Sequence, residues 1–132
     1  MTSQVLVIDD NIDVVRTVEL ILNDLDCSVT ADEDGKRGLV LFDAKPPDLV
    51  ITDIVMPEKD GIETIVEMRK LRPNVKIIAI SGGGAGMAGD RLLHMTAVLG
   101  ADHVLEKPFA AHQLRDLVQT ALQGAQSILS QR

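Results

Sequence analysis

Short apolar runs recur along this chain, and each leads into a polar residue capable of chemistry. Val5–Ile8 runs into Asp9-Asp10, Leu49–Ile51 into Asp53, Ile77–Ile80 into Ser81 and Val104–Leu105 into Lys107-Pro108. Runs that are continuously apolar, rather than alternating, suit strands covered on both faces by helices. In an open parallel sheet the C-terminal strand ends lie side by side, where α/β proteins bind ligands. Three carboxylates brought together there repel one another and disfavour joint ionisation. Such a cluster calls for a cation, and hard oxygen ligands select Mg²⁺ or its relatives. An ammonium beside that cation adds a demand for a multiply charged anion such as a phosphoryl group. The pattern reads as a phosphoryl-transfer site.

The segments between the runs have helical spacing. Asn11 to about Leu25 carries Val14, Val18, Ile21, Leu22 and Leu25 on one face. Cys27–Ala31 reads as a weaker strand suited to an edge. Asp34 to about Asp43, with Leu39, Val40 and Phe42, reads as a short helix stopped by Pro46-Pro47 before the Leu49–Thr52 strand. Met56-Pro57-Glu58-Lys59-Asp60-Gly61 is a loop by composition. Ile62, Ile65, Val66, Met68 and Leu71 then mark a helix ending before Pro73, followed by the Lys76–Ile80 strand. Ser81 opens a glycine-rich stretch, Gly82–Gly89. A helix from Asp90 to about Leu99 stops at Gly100. His103–Glu106 is the last strand and Ala110 to about Gly124 the last helix. Five strands alternating with five helices predict a doubly wound α/β fold with right-handed crossovers. The expected division is one domain over 1–124 and a short tail over 125–132.

Totals exclude several function classes. A chain of 132 residues buries about two-thirds of its unfolded surface, enough for one core without staples. The formal net charge of −7 argues against direct nucleic-acid binding, which demands a basic patch. The one basic cluster, Arg69-Lys70-Arg72, sits at a helix end, where cations meet the helix dipole favourably. With no Trp or Tyr, and only Phe42 and Phe109, base stacking has no platform. No apolar run approaches the ~20 residues of a membrane span. The N-terminus lacks a basic region and cleavage site, so a cytoplasmic location is expected. The single cysteine, Cys27, fits a reducing compartment and reads as a small buried residue opening a strand.

Taken in order, these motifs resemble the receiver domain of bacterial two-component response regulators over nearly the full length. The residues carrying the resemblance are Ile8-Asp9-Asp10, Asp53, Met56-Pro57-Glu58-Lys59-Asp60-Gly61, Ser81-Gly82 and Lys107-Pro108-Phe109. The resemblance implies a flavodoxin-like sheet in the order 2-1-3-4-5. It implies that Asp53 accepts a phosphoryl group from a phosphohistidine on a sensor histidine kinase or phosphotransfer protein. Asp9 and Asp10 become Mg²⁺ ligands together with Asp53, with Asp10 the more direct, and the Val55 carbonyl adds an oxygen. Lys107 and the Ser81 hydroxyl then hold phosphoryl oxygens. Such a protein is a signalling switch or phosphorelay intermediate that regulates partner proteins in trans. It assists its own aspartyl phosphorylation and dephosphorylation but is not a turnover enzyme. A small-molecule phosphatase with a phosphoaspartyl intermediate is the competing reading, but such enzymes resemble Asp-x-Asp and this chain has Asp9-Asp10-Asn11. A receiver acting without phosphorylation is a third, opposed by the intact acidic set and Lys107.

Two features depart from the family pattern. Many receivers carry Tyr or Phe in the fifth strand three positions before the site lysine; here Val104 stands there, after His103. His103 itself reads as a partly exposed strand residue. Gly82–Gly89 lacks the Gly-Lys-Ser/Thr ending of a nucleotide loop and reads as a mobile connection, the element expected to carry the signal away. A cis peptide is expected at Lys107-Pro108, since an X–Pro bond gives up only about 0.5–1 kcal/mol to adopt it.

Overall fold

β1 (Ser3–Ile8), β2 (Cys27–Asp32), β3 (Leu49–Asp53), β4 (Lys76–Ser81) and β5 (His103–Glu106) pair in parallel in the order β2-β1-β3-β4-β5. The computed structural model describes residues 2–54, 61–81 and 100–130, with the backbone alone for 61–62 and 124–130. The helices described are α1 (Ile12–Leu22), α2 (Gly35–Ala44), α3 (Gly61–Leu71) and α4 (Ala111–Ser130). The expected helix at Asp90–Leu99 and the Gly82–Gly89 stretch lie outside the described residues, as does the loop from Val55 to Asp60. The strand order is the flavodoxin-like one. Strands β3 and β4 each run one residue further than the apolar pattern suggested, and so take in Asp53 and Ser81. Pairing of Asp53 with Ile80 and of Ser81 with Glu106 is what holds them in the sheet.

Alternation along each strand divides the core into two layers. Val5, Val7, Leu49, Ile51, Ile78, Ile80 and Leu105 face α1 and α4, meeting Val15, Val18, Ile21, Leu22, Leu114 and Val118. Leu6, Ile8, Val50, Ile77 and Ala79 face the other way, onto Phe42 of α2 and Ile65 and Met68 of α3. Strands β1, β3 and β4 are thus covered on both sides, which is why their sequences are apolar runs. Edge strand β2 has only half-buried and exposed positions. Among the described residues no helix is long and apolar enough to cross a membrane.

Helix ends follow their caps. Asn11 caps α1, its side chain accepting from the Asp13 amide at 2.9 Å. The helix closes at Leu22 rather than near Leu25, and Val15 rather than Val14 is its first fully buried residue. Asp34 caps α2 by accepting from the Lys36 and Arg37 amides. Of the apolar residues expected on that helix, Phe42 is buried completely while Val40 is exposed. The last helix does not end at Gly124: α4 continues through 125–130, so most of the expected tail is helical. At the far end of the sheet, Arg69 donates to the carbonyls of Pro73, Val75 and Gly100 and pairs with Asp102. That guanidinium is a structural clamp, as the helix-end reading of the basic cluster implied. Gly100, at φ 125°, has the backbone conformation that only glycine adopts without strain.

Cys27 opens β2 as expected but is only half-buried, because the edge strand has no neighbour on its outer side. Burial, then the carboxylates of Asp26 and Asp48, push its thiol above the ordinary value. The folded thiol holds its proton to higher pH than the unfolded one. Its contribution to stability is therefore complete below the ordinary value of 9.0 and is lost as pH rises beyond it. Alkylation of folded protein at neutral pH should be slower than that of the urea-unfolded chain, and mass measurement over time checks this. A second outcome concerns Gly38, where α2 meets β1. A Cβ there would lie 2.6 Å from Cδ1 and 2.8 Å from Cγ1 of the fully buried Ile8. Overpacking costs about 1–3 kcal/mol, against about 1 kcal/mol of helix propensity gained. Gly38→Ala should therefore lower the melting temperature by roughly 3–5 °C, read by thermal denaturation.

Candidate functional site

The C-terminal strand ends bring the expected charges together. Asp9 follows β1 and is almost completely buried, at 2% exposure, while Asp10 next to it is exposed. Asp53 ends β3 and is buried. Carboxylate oxygens of Asp9, Asp10 and Asp53 all lie within 4.8 Å of one another. Lys107, just past β5, reaches across the sheet from the other side. Its Nζ donates to Asp9 Oδ2 at 3.2 Å and pairs with Asp53 Oδ2 at 3.7 Å. Ser81 ends β4 and is fully buried; its carbonyl accepts from the Lys107 amide at 2.7 Å. The Lys107–Pro108 peptide is cis. Val55, expected to lend a carbonyl, lies outside the described residues.

The three carboxylates have different surroundings. Asp9 Oδ1 accepts from the Asn11 amide at 2.9 Å and Oδ2 from Lys107, so both of its oxygens already have protein partners. Asp10 is the solvent-facing member. One ammonium against three carboxylates leaves the cluster negative, and oxygen-only donors at this spacing fit a hard divalent cation. Beside them, a cavity of about 310 Å³ opens between Asp10, Ile12, Val15, Asp32, Glu33 and Arg37.

The sequence pattern did not reveal everything that builds this site. Asn11, which the pattern places at the start of a helix, also caps α1 and donates its backbone amide to Asp9. An Asx residue directly before an amphipathic segment is the signal that marks such a cap. Thr52 was read only as the end of a strand; its buried hydroxyl donates to the Asp53 carbonyl at 3.0 Å. Nor did the pattern show that Arg37 pairs with Asp32 and Glu33 on the cavity rim.

The family model of the response regulator receiver domain matches residues 5–119. The chain belongs to this family. The chemotaxis protein CheY of Listeria monocytogenes is 31% identical over 120 residues, covering 89% of this chain and 97% of that protein. The probable transcriptional regulator ycf27 of Cyanophora paradoxa is 31% identical over 124 residues, covering 94% of this chain. The chain spans 50% of that regulator's length, and about half the length of its ycf27 counterparts in other algae. Among solved structures, NtrX from Brucella abortus has a TM-score of 0.88 at 27% identity, over 98% of this chain and 29% of that one. A CheY-like receiver domain from Methanospirillum hungatei has a TM-score of 0.86 at 23% identity, over 96% and 98% of the two chains, and shares the fold. Receiver domains are phosphoryl-accepting signalling switches of two-component systems that bind Mg²⁺ at an acidic site and interact with histidine kinases or phosphotransfer proteins.

Removing the cation from this receiver domain tests how its charges are balanced. Lys107→Met leaves buried Asp9 and Asp53 facing each other, and should lower stability by about 1–3 kcal/mol in the presence of a chelator. Excess Mg²⁺ should recover part of the loss, because a cation held only by the folded cluster stabilises the folded state by mass action. Urea denaturation with and without metal reads both effects. Identical midpoints in the two conditions would show that the carboxylates do not form a joint cation site.

Proposed function

We propose that Asp53 is the phosphoacceptor of this receiver domain and that its donor is the phosphohistidine of a sensor histidine kinase or phosphotransfer protein. The observation that carries this reading is Lys107 Nζ, set between buried Asp9 and buried Asp53 with exposed Asp10 alongside. An Asp53 oxygen attacks phosphorus in line. A phosphorus–oxygen bond forms, the phosphorus–nitrogen bond breaks, and the electron pair returns to the departing imidazole. Positioning and charge neutralisation are nearly all that such a transfer asks of a protein. Lys107 supplies the charge for one phosphoryl oxygen and the Ser81 hydroxyl a hydrogen bond to another.

The acidic set fits Mg²⁺, which when bound neutralises phosphoryl charge. Asp10 and Asp53 would be its direct protein ligands, and the expected carbonyl ligand, Val55, lies outside the described residues. Asp9, whose oxygens are engaged by Asn11 and Lys107, acts mainly by fixing the lysine and by adding negative potential. Engagement of Lys107 by both carboxylates also supports a phosphorylated receiver over one that acts without phosphorylation. The output is proposed to pass to a partner protein in trans. One relative is named for chemotaxis and another for transcriptional regulation, which supports a switch joined to different outputs in different proteins.

Incubation with acetyl phosphate and Mg²⁺ should add one phosphoryl mass to the wild-type protein and none to Asp53→Asn. Asp10→Asn should lose Mg²⁺-dependent labelling while remaining folded, since its removal relieves repulsion in the cluster. Intact mass measurement reads both, and equal labelling of Asp53→Asn would remove Asp53 from the role.

A further inference from the structure

Thr52 breaks an otherwise aliphatic strand. Leu49, Val50 and Ile51 precede it and Ile54 follows the acceptor, all of them buried; Thr52 itself is fully buried, on the residue just before Asp53. A buried hydroxyl is costly unless it is hydrogen-bonded, and valine would fill the same volume without that cost. The hydroxyl has a specific target. Its Oγ1 donates to the backbone carbonyl of Asp53 at 3.0 Å.

That carbonyl sits at the end of the β1–β3 ladder. Pairing of β1 with β3 ends at Ile8 with Thr52, so on that side Asp53 lies past the ladder. On the other side the Ile54 amide donates to the Ile80 carbonyl at 3.0 Å. The peptide joining Asp53 to Ile54 is therefore held twice, at its nitrogen by β4 and at its oxygen by Thr52. This peptide sets the direction in which the Asp53 side chain leaves the strand. It also leads the chain toward Val55.

We infer that Thr52 is a positioning residue for phosphoryl transfer, its hydroxyl fixing the backbone of the acceptor aspartate in the orientation that in-line attack requires. The inference rests on the reading of Asp53 as phosphoacceptor. It makes no use of contact between Thr52 and the phosphoryl group. Small misplacements of a reacting atom are costly in rate, and an approximately 1 Å shift can cost up to about 100-fold. Loss of the Thr52 restraint on the Asp53–Ile54 peptide should slow transfer by about tenfold.

The test compares Thr52→Val, which keeps shape and removes the donor, with Thr52→Ser, which keeps the donor. Labelling rates with saturating acetyl phosphate and Mg²⁺ are followed by intact mass, alongside thermal melting and Mg²⁺ affinity without phosphodonor. Thr52→Val should label about tenfold more slowly, with melting unchanged or raised and Mg²⁺ affinity within about twofold of wild type. Thr52→Ser should label within about threefold of wild type. Wild-type labelling rates in Thr52→Val would overturn the inference. So would slow labelling accompanied by lowered melting in Thr52→Val and no rescue by Thr52→Ser, because the hydroxyl would then serve packing alone. Wild-type protein that fails to label, or Asp53→Asn that labels, would instead overturn the phosphoacceptor reading and the inference with it.

Discussion

The Lys107 ammonium between Asp9 and Asp53 is the contact on which the rest of this architecture depends. Two buried carboxylates this close repel each other, and the part-buried Lys107 ammonium that meets both offsets that repulsion. The participants come from opposite ends of the chain, 98 residues apart for Asp9 and Lys107, so the pairing exists only in the folded sheet. On the proposed reading of Asp53 as phosphoacceptor, Lys107 would gain a more highly charged partner there while its contact with Asp9 could loosen.

Rigidity around that balance comes from the apolar layers below. Ile8, Ile51, Ile80 and Leu105 sit within two residues of the site's charged and hydroxyl groups, and each is packed into one of the two cores. The charges therefore stand on a platform that cannot easily yield. Of the three carboxylates, Asp10 alone faces solvent. On the proposed reading the buried members would hold geometry and Asp10 would give the metal access, so burial separates roles that charge alone does not distinguish.

Most of this was legible because the signals were local. Continuous apolar runs could only be doubly covered strands, and their polar terminal residues could only meet at one sheet edge. Asp9, Asp10, Asp53, Ser81 and Lys107 were read in that way, and the structure brings the charged four together with Ser81 on the adjoining strand end. What was not legible depended on distances that sequence does not carry. Helical periodicity placed Val14 and Leu25 on the buried face, whereas the cap at Asn11 and the closure at Leu22 shifted the fully buried set to begin at Val15. The continuation of α4 beyond Gly124 was missed because a glycine is a weak stop when the flanking residues favour helix. Thr52 looked like any β-branched strand residue. Only the folded ladder end shows the acceptor of its hydroxyl, the Asp53 carbonyl.

The short strand β5 explains why so much of the polar bonding lies far from the site. With four residues it is the shortest of the described strands, and it leads directly into the lysine. At its start, Asp102 donates its amide to the Ile77 carbonyl and accepts from the Ile77 amide, while Arg69 grips the same carboxylate. At its end, the Lys107 amide donates to the Ser81 carbonyl. Four residues of ladder would leave the strand free to shift along β4, and a one-residue slip would turn each of its side chains to the opposite face. Anchoring at both ends prevents this. The Arg69–Asp102 clamp lies at the edge of the sheet remote from the charges, yet by fixing the register of β5 it helps set where Lys107 can reach. Stability at one edge of the sheet is thereby what makes the chemistry at the other edge geometrically definite.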